Sequence, residues 1–416
     1  MWTADCGNHA IKAVADCYDA VTESDEGNND KTEYINIIAK WSFMVYMDAD
    51  NDIEWMAVSS DPKGDFLEMS EIGSTEDVNV VVQLDRQGSG NTKRFQITKG
   101  STIENSGVDI GEVNMGDPDT LYEFITWTKE NYPAQHYCLV LWDHGAGWEG
   151  CCKDNTSNDD KLTLQEIKQA FKQAGIKFDV IAFDACIMGN IETVYQLKDY
   201  ANTFVVSEES LSCLFSPYDA ILQELTKKLS MSCDELGKIW VDNYIESCKK
   251  ARIIYEYEKK HDHNYMCLNF SEYTRSKMDS IYVAKISNSV DTLGIKLTNY
   301  WNNPDYRSEI RKARENAEEF AKKTSHKHEY VDIYSLCQQI KESDVPNDFK
   351  NAAGNVINLI DQGIYSQNGP AHANSKGLSI YFPLKGSAKY KDEYDQLDFA
   401  KDTKSVSYTH LTLPTN

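Results

Sequence analysis

The chain has 416 residues, 41% of them hydrophobic and 26% charged, with a formal net charge of −24. Those figures suit a soluble globular protein and argue against nucleic acid or an anionic membrane surface as partner, because both would repel it. Eleven cysteines without a CxxC or zinc-type spacing exclude a disulfide scaffold and a thiol oxidoreductase motif, and no apolar run approaches a membrane span.

The acidic balance suits cationic ligands such as basic peptides. Residues 1–33 are polar, acidic toward their end, and read as a flexible N-terminal segment. The first twenty residues contain no secretory apolar core. A folded domain is expected over 34–400, its first strand at Trp41–Met47. That strand runs into Asp48-Ala49-Asp50-Asn51-Asp52, a turn-prone acidic stretch. It does not match a calcium-binding EF-hand loop, which needs Gly at its sixth position where Ile53 stands.

A helix is expected at Phe66–Ile72, a second strand at Val78–Leu84 and an outer strand at Thr92–Thr98. Asp117-Pro118-Asp119 opens an amphipathic helix through Leu121–Asn131. Then comes Cys138-Leu139-Val140-Leu141-Trp142, apolar throughout and stopped by Asp143-His144-Gly145. Such a run is a strand buried on both faces. Thr163 and Glu166 form a capping box for a helix that Gly175 ends. Val180-Ile181-Ala182-Phe183 is a matching buried strand that runs into Asp184-Ala185-Cys186. A helix at Ile191–Tyr200 and a strand at Thr203–Ser207 follow.

This alternation predicts an α/β fold with a largely parallel sheet and helices on both faces. Residues 217–264 and 305–364 read as mostly helical, giving a helical addition at about 217–365. Tyr265–Phe270 is a candidate strand, and Gly377–Pro383 gives a late one. Val406–Asn416 resembles a translated sequencing adaptor and reads as a non-native tail.

Chemistry in parallel sheets collects at the carboxyl ends of strands. A His and a Cys arrive at two such ends, so His144 is the candidate base and Cys186 the candidate nucleophile. A helix N-terminus and an imidazolium would both favour the thiolate. The N–H groups of Gly145 and Cys186 are candidates for an oxyanion hole. Asp184, two residues before Cys186, would point the same way and could hold a basic substrate side chain.

WSFMVYMDADNDIE, VNVVVQLD, LVLWDHGAGW, FDACIMG, VSEE and GLSIYFP together resemble the clostripain family of cysteine peptidases, over roughly Trp41–Pro383. The resemblance implies a caspase-like sandwich and a Cys–His dyad without a third member. It also implies cleavage after Arg or Lys, help from Ca2+, no organic cofactor, self-cleavage and a secreted or cell-envelope setting. Carried over, the base is His144, the nucleophile Cys186 and the basic-residue binder Asp184. The stretch Ser59–Gly64 interrupts the family's first helix.

His144 and Cys186 lie 42 positions apart, more than the roughly 30 of a compact βαβ unit. The excess is Glu149–Lys161, a polar loop with almost nothing to bury, where nicking after Lys153 or Lys161 is expected. The alternative is an inactive caspase-like module that recruits basic partners through its acidic surface.

Overall fold

The computed structural model describes residues 7–15, 18, 21–22, 24, 29–60, 63–88, 92–211, 216–260, 274–320, 329–383 and 391–403, with 7–9, 35–37 and 251–260 as backbone. The tail read as non-native and the strand expected at Tyr265–Phe270 lie outside these residues.

A nine-stranded sheet carries the fold. Its five parallel strands are Ala39–Ala49, Val78–Arg86, Ala134–Trp142, Phe178–Asp184 and Ala201–Val206. The first of them lies between the second and the third. The third, fourth and fifth then follow outward in chain order. Strand order therefore reverses beside Ala39–Ala49. Parallel sheets open a crevice at such a reversal, beyond the carboxyl ends of the strands. Ala134–Trp142, which leads to His144, is one wall of it.

Antiparallel strands close both edges: Thr92–Gln96 and Val108–Gly111 on one side, Thr274–Asp279 and Ile364–Asn368 on the other. Alternation across the central strands feeds two cores. Trp41, Phe43, Val45 and Met47 pack with Phe66, Ile221, Leu222 and Trp240 on one face. Met44, Tyr46, Leu139 and Leu141 pack with Phe124, Ile167, Phe171 and Val283 on the other. Both faces are buried, which is why the middles of these strands are largely apolar instead of alternating. Each large side chain buried this way contributes about 1.5–3 kcal/mol.

The helices follow their local signals. Asp117 caps Pro118–Asn131 through the Asp119 amide. Thr163 and Glu166 make the reciprocal capping box of Leu164–Ala174, and Gly175 ends it in the left-handed region. Near Ser59–Gly64 the chain forms two short helices, Glu54–Val58 and Asp65–Ile72.

Two readings need correction. Gly7–Val14, in the segment 1–33 expected to be flexible, pairs with Asp30–Ile37 as an antiparallel ribbon. The polar loop Glu149–Lys161 contains a hairpin, Cys151–Asp154 against Asp160–Leu162. It buries Cys151, Cys152, Asp154 and Leu162, so it is not a bare solvated loop. Periodicity could not show this, because the apolar pair Cys151-Cys152 is too short to register as a strand.

Candidate active site

Register sets the two candidate residues side by side. Asp184 pairs with Trp142, and the Asp143 amide donates to the Asp184 carbonyl at 3.3 Å. Beyond that bond the chains continue as His144-Gly145 and Ala185-Cys186. A Cβ placed on Gly145 would sit 2.1 Å from the Cys186 carbonyl oxygen and 2.7 Å from its nitrogen. Only glycine lets the two backbones approach this closely.

The turn carrying Cys186 is held on several sides. Ile187 has φ +53°, a strained value for a β-branched residue that costs about 1–3 kcal/mol. Its amide donates to the Glu209 carbonyl at 3.3 Å, and the Gly189 amide donates to Ser207 at 2.6 Å. The late strand, Ser379–Tyr381, clasps the same turn from outside the main sheet. Ser379 donates its amide to the Gly189 carbonyl at 2.9 Å, and Tyr381 donates its amide to Glu192 at 3.0 Å. Asn190 caps the Ile191–Leu197 helix through the Thr193 amide.

The thiol is not held as a thiolate. Leu211 covers it: its amide donates to Sγ at 3.3 Å, and Sγ lies 3.8 Å from its carbonyl oxygen. Burial pushes the Cys186 thiol up to about 11. The helix expected to favour the thiolate begins at Ile191 with Asn190 as its cap, five positions beyond Cys186.

His144 lies in a polar network that sequence reasoning did not assemble. Its Nε2 is 2.8 Å from Asp52 Oδ1, and this contact lowers the Asp52 carboxyl below its usual range. The neighbouring Asp143 is buried, and burial raises its carboxyl to about 7. Asp143 accepts from the Asn51 side chain at 2.7 Å and from the Lys153 amide. Asp143 thus ties the hairpin to the rim that carries His144. The signal was the Asp48–Asp52 stretch; its contacts lie about a hundred positions away.

Asp184 is fully buried. It accepts from Ser216 Oγ at 2.7 Å and Tyr218 OH at 2.8 Å, and Arg275 Nη2 stands 4.0 Å away. The Arg275 guanidinium lies over the rings of Tyr244 and Trp240. Lys153 pairs with Asp159 at 2.7 Å and Lys161 with Glu149 at 2.9 Å, and the two lysines face each other across the hairpin.

A thiol and an imidazole on adjacent strand ends of a parallel sheet are the layout of a cysteine peptidase. The model of the Clostripain family, peptidase family C11, matches residues 45–409. The clostripain of Hathewaya histolytica is 24% identical over 442 residues, covering 90% of this chain and 81% of that protein. A secreted C11 cysteine protease from Bacteroides thetaiotaomicron, solved with an irreversible peptide inhibitor, superposes with a TM-score of 0.63. It is 17% identical, covering 87% of this chain and 98% of that one. An inactive zymogen C11 protease from Parabacteroides distasonis gives 0.62 at 20% identity, covering 89% of this chain and 99% of the other. The chain belongs to the clostripain family of cysteine peptidases, with the caspase-like α/β fold its sequence led us to expect.

Proposed function

We propose that the protein is an endopeptidase that cuts after Arg or Lys, with Cys186 as nucleophile and His144 as base. The observation that supports this reading is the approach of the Gly145 backbone to that of Cys186, which brings the two strand ends together. His144 takes the thiol proton as Sγ attacks the scissile carbonyl carbon. The Gly145 and Cys186 N–H groups serve the oxyanion. His144 then protonates the leaving amine, and a water that it deprotonates hydrolyses the thioester, restoring the thiol.

The form described is a resting one. Leu211 must leave Sγ before a substrate carbonyl can reach it. Asp184, two residues before Cys186, is the candidate for the basic preference; in this form its carboxylate is buried beside Arg275, so a substrate guanidinium would have to displace that neighbour. The zymogen state of the Parabacteroides distasonis protein agrees with activation by self-cleavage, here after Lys153 or Lys161.

A peptide panel that differs only at P1 tests the proposal. Turnover should require Arg or Lys and vanish in Cys186→Ala and His144→Ala. Asp184→Asn, which preserves shape, should lose on the order of 100-fold in kcat/KM for basic substrates and little for Leu. Turnover that persists in Cys186→Ala would sink the nucleophile assignment, and equal losses at every P1 residue would make Asp184 structural.

A further inference from the structure

Cys151 and Cys152 stand where the hairpin leaves the His144 rim, and the proposed reaction uses neither. The hairpin is irregular there. Cys151 lies opposite Leu162 and Lys153 opposite Lys161, so Cys152 is the extra residue of a β-bulge. Its φ is +57°, in the left-handed region that residues other than glycine seldom adopt. In a regular strand, adjacent side chains point to opposite faces. The bulge cancels that alternation and turns both thiols into the same core. Their Sγ atoms are 3.8 Å apart, which is van der Waals contact. A sulfur–sulfur bond of roughly 2.05 Å leaves about 1.8 Å to close.

We propose that Cys151 and Cys152 form a redox site that closes reversibly into a vicinal disulfide, with hydrogen peroxide as the oxidant. One thiol reduces the peroxide: its sulfur takes one oxygen, becomes a sulfenic acid and releases a water. The other sulfur then attacks the sulfenic sulfur. The sulfur–sulfur bond forms, the sulfur–oxygen bond breaks and a second water leaves. The two sulfurs have given up two electrons, and the peroxide has taken them. Burial raises the Cys152 thiol well above its usual range, so the pair is quiet while the hairpin is closed and reacts when it opens. Adjacent Cα atoms lie about 3.8 Å apart, closer than disulfides usually hold them, so a dithiol reopens the ring readily.

Short links join the pair to the rim. Gly145 and Cys151 form an isolated β-bridge, and the Ala146 amide donates to the Gly150 carbonyl at 2.9 Å. Lys153, next in the chain, holds Asp143 through its amide. A closed ring at Cys151–Cys152 cannot extend, whereas peptide recognition along a strand edge needs an extended chain. Oxidation therefore shields the bond after Lys153 and leaves the bond after Lys161 as it was.

The redox step does not depend on the proposed peptidase reaction, so the test uses the full chain carrying Cys186→Ala, which removes a competing thiol. The protein is treated with hydrogen peroxide, then alkylated in denaturant, digested and weighed by mass spectrometry. The peptide carrying Cys151 and Cys152 should lose two hydrogens and take no alkyl group, while the buried Cys138 and Cys337 are alkylated. Dithiothreitol should restore both alkylation sites, and Cys152→Ser should abolish the loss of hydrogen. A second measurement uses just enough urea for an added lysine-specific protease to cut the reduced chain after Lys153. The oxidised chain should be cut there at least roughly tenfold more slowly, and equally fast after Lys161. Alkylation of both thiols after peroxide, sulfinic acids with no bond between them, a bond from either to another cysteine, or equal cutting after Lys153 in the two states would overturn the assignment.

Discussion

Cys186 shows how far one side chain's state depends on its cover. Burial raises the thiol that register brings beside the His144 rim, while the Leu211 amide, which donates to Sγ, works the other way. Its position was readable because an apolar strand ending in a polar residue marks the edge of a sheet. The cover was not, since Leu211 lies 25 positions away in the chain and meets Sγ through its backbone. Asp52 was equally hidden, 92 positions from His144. A carboxylate 2.8 Å from the ring orients the imidazole, but exposed pairs are weak. Asp52→Asn should therefore cost no more than about tenfold, in kcat more than in KM, and Asp52→Glu should restore it. A kcat unchanged by Asp52→Asn would remove Asp52 from any role in positioning the base.

At the scale of elements, the Cys151–Leu162 hairpin decides how self-cleavage can occur. The bond after Lys153 is doubly tied: its amide donates to Asp143, and its carbonyl accepts from Asn51 at 3.3 Å. Asp154 beyond it is buried. The bond after Lys161 also precedes a buried residue, Leu162, but the Lys161 side chain is held by Glu149 and the bond carries no tie to Asp143 or Asn51. Opening at Lys161 leaves the contacts of the His144 rim intact, so cleavage should favour it. Gel analysis with N-terminal sequencing should show Lys161→Ala blocking most processing and Lys153→Ala little. Equal nicking of Cys186→Ala without added protease would end the idea of self-cleavage.

Elements with a physical marker were the legible ones. The five parallel strands each carry a short apolar run, and the helix of Leu164–Ala174 carries its own caps. Thr274–Asp279 was not visible: TRSKMD is polar, yet five of its six residues are buried between two antiparallel neighbours. Its Arg275 supplies the guanidinium beside Asp184, which no local pattern announces. The late strand was visible, but not its task of clasping the turn that follows Cys186.

Across the whole molecule, strand order brings these parts to one crevice. The reversal beside Ala39–Ala49 collects the acidic ends of the first strands, the His144 rim and the hairpin on one edge of the sheet. The net charge of −24 would favour cationic over anionic peptides at long range. The proposed peptidase reaction at this edge runs through Cys186. It is tested most directly by reacting the processed enzyme with irreversible peptidyl electrophiles that differ only at P1, then locating the adduct by mass spectrometry. The account predicts one adduct, on Cys186 among the eleven cysteines, formed with Arg or Lys at P1 far faster than with Leu or Asp, and absent in His144→Ala. Labelling at another cysteine, or at a rate indifferent to P1, would contradict it.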